Sequence, residues 1–176
     1  MGQITDTSPA LLLLPAFSRH DAALDWAKRR AEETCGPVVL ESPVFEFTET
    51  DYYRKSMGGE IKKQFFAFER LIDPERLAEI KRTTNDWEIE YAELASHAEP
   101  RPLNLDPGYI TLAKLVLAST KDHAHRIYLS GGIYAEVTLS YRARRWQHHP
   151  WTFPDYRRAD YHEFFEQCRE YLRGCR

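Results

Sequence analysis

The sequence predicts an α+β fold. It is a single domain over residues 1–176 with ferredoxin-like βαββαβ order, an added helix, a β-hairpin and a C-terminal helix, on a mostly antiparallel sheet. Three observations lead there. Apolar runs of strand length alternate with amphipathic stretches of period 3.6 through the first hundred residues. A glycine pair separates two runs that alternate at period 2 near residue 130. The last sixteen or so residues carry a clean helical stripe.

The elements follow in order. "ALLLLPAF" (10–17) reads as a buried strand, being too short to span a bilayer and lacking a basic flank before it. "SRHDAALDWAKRRAEETCGP" reads as a helix, with Ser18 and Asp21 in a capping-box-like start and Gly36-Pro37 as the stop. "VVLESPVFEF" (38–47) is a strand interrupted near Pro43, hence an edge strand. "QFFAFERLI" (64–72) is a central strand, and Asp73 and Pro74 then cap a long helix to about Ala95, broken by "HAEPRP". "RPLNL" is a short strand, "DPGY" a turn and "ITLAKLVLAST" (110–120) a buried helix. Asp160 opens the last helix, striped by Tyr161, Phe164, Phe165, Cys168, Tyr171, Leu172 and Cys175. The helices are expected on one side of the sheet.

The hairpin register follows from its pattern. A two-residue Gly131-Gly132 loop would set Ile127 against Glu136, mixing apolar and polar faces. A three-residue loop, Ser130-Gly131-Gly132, instead pairs Leu129 with Ile133, Ile127 with Ala135, Tyr128 with Tyr134 and Arg126 with Glu136. His125 then falls on the apolar side, as a structural residue.

Composition narrows the function classes. Of 176 residues, 43% are hydrophobic, 29% charged and 13% aromatic, as in an ordinary soluble globular chain. The net charge of −3 disfavours binding to nucleic acid by charge alone. Three cysteines, Cys35, Cys168 and Cys175, make no disulfide framework and suit a reducing compartment. With no membrane or export segment read, the chain is expected in the cytoplasm. There is no G-x-x-x-x-G-K-[ST] and no G-x-G-x-x-G after a strand, so neither phosphate-binding fingerprint is present. His123-x-His125 and His148-His149 lack the convergent spacing of a metal set, so no metal is expected and no cofactor is named.

The chemistry-bearing residues crowd into residues 106–139. On a helix over 111–121, Thr111, Lys114 and Lys121 share one line. The lysines are either anion-binding cations or snorkelling stems. Arg126 and Glu136 are either an exposed ion pair or an anion clamp beside a base, in the company of Tyr128 and Tyr134. Asp106 is a cap or a polar site group. In "DYYRKSMGGE", Tyr52, Tyr53, Lys55 and Gly58 form a lid or a plain turn.

The leading expectation is therefore a protein that binds or processes an anionic, phosphorylated or nucleotide-like small molecule. Lys114, Lys121, Arg126, Tyr128 and Thr111 would bind it; Glu136, Asp106 and Tyr134 would do any chemistry. That reading requires Lys114 and Glu136 to share one pocket. The alternative is a non-catalytic module that binds RNA or protein through exposed sheet aromatics. "KKQFFAFER" is similar to the aromatic stripe of RNA-recognition domains, although its glycine and residue order differ.

"TDYYRKSMG", "FERLIDPERLAEIK", "NLDPGYITLAKLVLASTKDHAHRIYLSGGIYAEVTLSY" and "PWTFPDYR" together resemble a prokaryotic family of uncharacterised proteins, domain of unknown function 4416. The resemblance spans nearly the whole chain and implies no established activity. Some members are labelled GTP-binding proteins; this chain has neither a P-loop nor an N-K-x-D guanine motif.

Overall fold

The computed structural model describes residues 2–50 and 53–175. Its strands are β1 (Leu11–Ser18), β2 (Val38–Glu41), β3 (Phe45–Glu46), β4 (Lys62–Phe68), β5 (Asn104–Leu105), β6 (Gly108–Ile110), β7 (Lys114–Ser119), β8 (Ile127–Ser130), β9 (Ile133–Arg142) and β10 (Arg145–His148). The helices are α1 (Asp21–Cys35), α2 (Arg54–Met57), α3 (Leu77–Leu94) and α4 (Ala159–Gly174). All ten strands join one open sheet in the order β10-β9-β7-β6-β1-β4-β2, every pairing antiparallel. β3 extends the β4 edge, β5 continues the β6 side of β1, and β8 lies beside β9.

β1 is buried along its whole length because both sheet faces are covered. Leu12, Leu14 and Ala16 pack with α1 and α3 through Leu24, Ala27, Ile80 and Trp87. Leu11 and Leu13 pack with α4 through Tyr161, Phe164, Phe165 and Leu172. The expectation of helices on one side is thus corrected: α1 and α3 share a face, and α4 covers the other. An apolar stripe on a helix states that a face is buried, not which face of the sheet receives it.

The expected helix over 111–121 is also corrected. Residues 114–119 form β7, inserted between β6 and β9. Leu115 and Leu117 join the α4-side core, while Val116 and Ala118 join the α3 side. A strand buried on both faces has no polar alternation to betray its period. "DPGY" likewise is more than a turn, since Gly108–Ile110 pairs with both β1 and β7.

The hairpin register holds at Ile127↔Ala135 and Tyr128↔Tyr134. It then shifts, pairing Ser130 with Ile133, so that Leu129 takes up the extra residue instead of facing Ile133. Gly131 and Gly132 turn the chain at φ of 55° and 78°. Along β9 a second irregularity, between the Leu115 and Val116 pairings, moves Leu139 to the α4 side, whereas Val137 faces α3. A single apolar face from Ile133 to Tyr141 is therefore not maintained. No helix among the described residues is long and apolar enough to cross a membrane.

Candidate functional site

A cavity of about 450 Å³ opens at one end of the sheet. The C-terminal ends of β1 and β7 meet the N-terminal end of β4 there, and residues 153–156 close over them. Its lining includes five cations, Lys63, Lys81, Arg101, Lys121 and Arg126, and four carboxylates, Glu49, Asp106, Glu136 and Asp155. Phe17, Phe47, Tyr53, Phe153 and Tyr156 supply aromatic walls.

Three ion pairs organise this polar centre. Glu136, on β9 opposite Leu117, accepts from Arg126 Nε at 2.8 Å and lies 3.1 Å from His125 Nε2, both at Oε2. Thr138 donates to Oε1 at 3.2 Å. Arg126 also donates to Ser119 Oγ at 2.7 Å and to the Lys121 carbonyl at 3.0 Å. The Arg126 and Glu136 side chains are 4% and 1% exposed, so this is an enclosed clamp and not a surface pair. Both Glu136 oxygens are engaged, which suits it to positioning Arg126.

The second pair is Lys63–Asp155 at 2.6 Å, with side chains 4% and 5% exposed. Lys63 lies in phase with Phe65 along β4, so its stem enters the α4-side core. Its ammonium lies 4.2 Å from the Tyr156 ring centre and 5.0 Å from that of Phe17, with Phe47, Phe65 and Tyr161 within 5.8 Å. The rings' negative faces partly replace the water this cation has lost.

The third pair joins α3 to the strand end. Lys81 donates to the Leu105 carbonyl at 2.6 Å and to Asp106 Oδ1 at 3.0 Å. Asn104 donates to Asp106 Oδ2 at 3.0 Å. Burial pushes the Asp106 carboxyl up, but Lys81, Lys63 and the Asn104 amide outweigh it, and the net pKa lies below the ordinary value. Neighbouring Glu88 goes the other way: desolvation dominates, reinforced by Asp106, and its pKa is raised despite Lys81 and Arg101. The buried Tyr156 hydroxyl has no hydrogen-bond partner among the described residues. Burial, with Asp155 and Asp106 adding to it, pushes its pKa well up, so it is a neutral donor.

Of the residues read from sequence, Glu136, Asp106, Lys121, Arg126 and Tyr53 line the cavity. Lys114 does not. It is exposed at the start of β7, and strand alternation sets it on the α3 side, opposite Glu136. Thr111 stays in the β6–β7 turn, accepting from the Ala113 and Lys114 amides. Tyr128 and Tyr134 form an edge-to-face pair on the hairpin, centroids 5.4 Å apart, outside the cavity. Lys55 is exposed on α2, and Gly58 ends that helix at φ 80°. Tyr52 lies outside the described residues. His125 is a partner of Glu136, not an apolar-face residue.

Lys63, Lys81, Asp155 and Tyr156 escaped sequence reasoning. For Lys63 a signal existed: a lysine in phase with Phe65 and Ala67 on a core strand needs a buried partner. Asp155 is 92 residues away, and nothing local names it.

Fold and cavity together define an α+β protein with an enclosed, ion-paired polar site. The chain belongs to the family described as Domain of unknown function (DUF4416), whose model matches residues 8–171. No curated protein and no solved structure matches the chain.

Proposed function

We propose that the cavity binds a small anionic molecule, phosphorylated or nucleotide-like in size, with an apolar or planar part against the aromatic wall. The observation that carries this reading is the lining itself: five cations against four carboxylates, with each carboxylate already engaged by a cation. A volume of about 450 Å³ falls in the range of small-molecule sites. Lys121, exposed at the rim, meets the anion, and Arg126 and Lys81 set the positive potential behind it. The form of this reading that needed Lys114 and Glu136 in one pocket is overturned, because the two lie on opposite faces of the sheet, and Lys121 takes the place of Lys114. We also read the order β6-β1-β4-β2, with α1 and α3 on one face, as a ferredoxin-like core extended by β7 to β10 and α4. Three free thiols fit a reducing, cytoplasmic setting.

A thermal-shift screen of inorganic phosphate, nucleotides and sugar phosphates tests the proposal. A ligand at 100 times its Kd should add about 2.7 kcal/mol of stability. The shift should shrink in Lys121→Ala and persist in Lys114→Ala. If no compound of this class raises the melting temperature, or if both variants behave alike, the reading fails.

One observation favours a second reading, a non-catalytic binding module. Ile127 and Tyr128, on β8 at the sheet margin, are 73% and 58% exposed. An RNA gel shift at low salt, lost in Tyr128→Ala, would support that use.

A further inference from the structure

The turn joining β1 to α1 and the segment after α3 are tied together at a second polar cluster. Ser18 Oγ donates to the Pro102 carbonyl, and the His20 amide donates to Ser18 Oγ at 3.0 Å. These bonds set His20 beside residues 97–99. The imidazoles of His20 and His97 stack with centroids 3.8 Å apart and planes 18° from parallel. His20 Nε2 lies 3.1 Å from Glu99 Oε2. One ligating atom from each of His20, His97 and Glu99 lies within 4.8 Å of the other two.

We propose that His20, His97 and Glu99 bind one divalent first-row transition ion of the zinc class. Imidazole and carboxylate donors suit such an ion. Bonds of about 2.0–2.2 Å place tetrahedral ligand atoms about 3.3–3.6 Å apart. The His20–Glu99 separation of 3.1 Å is already close to that, and His97, within 4.8 Å of both, turns out of its stack on His20 to bring its in-plane lone pair to the same ion. The surroundings match the outer shell of a metal centre. Tyr91 Oη sits 3.0 Å from His97 Nε2, and Arg19 donates to Glu99 Oε1 at 2.8 Å, leaving Oε2 toward His20. Without metal, His20 Nε2–H donates to Glu99; the ion takes the place of that proton. Three protein ligands leave the fourth position for water or an exchangeable ligand.

Metal titration of the untagged, chelator-treated full chain is decisive, with Co²⁺ followed by visible absorption and Zn²⁺ by calorimetry. The site predicts one ion per chain, tetrahedral-type Co²⁺ absorption, and displacement of Co²⁺ by Zn²⁺. His20→Gln, His97→Gln and Glu99→Gln should each weaken binding by at least about tenfold. Tyr91→Phe should retain the absorption with about 10–100-fold weaker affinity. His149→Gln, in the other histidine group, should change nothing. Absence of stoichiometric binding at micromolar protein overturns the proposal, as does binding undiminished in the ligand variants. If the histidine variants fail to fold, Glu99→Gln carries the same test, because it keeps the side-chain volume and removes only the charge.

Discussion

Lys63 and Asp155 carry opposite charges into a space walled by Phe17, Phe65, Tyr156 and Tyr161. Removing one partner leaves the other charged and desolvated, at a cost of about 3–5 kcal/mol. Replacing both with apolar groups of similar size removes the cost along with the pair. Lys63→Met and Asp155→Leu should therefore each lower stability sharply in denaturant unfolding. The double variant should recover most of the loss. Additive single effects would show that the two side chains are not coupled. Arg126 and Glu136 follow the same logic, with the added consequence that Arg126 also holds the Ser119–Lys121 turn at the cavity rim. Sequence patterning anticipated that Arg126 and Glu136 were neighbours, because a hairpin makes them so within ten residues. It could not tell an exposed pair from an enclosed one, since burial depends on Phe153 and the segment after it.

β6 and β7 approach unusually closely at Gly108. A Cβ there would sit 2.2 Å from the Val116 carbonyl oxygen and 2.7 Å from Leu117 Cδ2. The contacted oxygen is backbone and cannot swing aside. Gly108→Ala should destabilise by about 1–3 kcal/mol, measured by chemical denaturation, and should disturb Asp106 two residues earlier. An alanine variant as stable as the parent would mean the strands can separate at no cost. The apolar run over 111–121 looks equally helical and extended by composition. Pairing on both edges, with β6 and β9, decides for strand, and both partners lie outside the run itself. By contrast α1, α3 and α4 were legible because each shows one apolar stripe and local stop signals.

Among the groups that shape the pH response of the whole molecule are two buried carboxyls with opposite tendencies. Asp106 has a folded pKa below its unfolded value of about 3.9. Its stabilising contribution is complete above that value and is lost as pH falls toward the lower folded value. Glu88 has a raised folded pKa, so the folded state holds its proton more tightly, and this group gains stability as pH falls through the folded value. Asp106→Asn should therefore flatten the fall in stability below about pH 4, read from urea midpoints across pH. An unchanged acid limb would remove Asp106 from that role. The same substitution removes the charge paired with Lys81 and leaves Glu88 Oε1, at 4.0 Å, as its ion-pair partner among the described residues, so stability at neutral pH should also drop.

The sequence by itself determined the α+β class, the three long helices and the core of the hairpin register. Each of these rests on side-chain periods and turn chemistry that act within a few residues. Only the tertiary structure decided that residues 114–119 are a central strand, that α4 covers the opposite face, and that Lys114 lies away from Glu136. It alone brought Lys63 to Asp155, Lys81 to Asp106, and His20 to His97 and Glu99. Those meetings join residues 25 to 92 positions apart. They depend on which sheet edges pair and which faces are covered, and no local pattern carries that information.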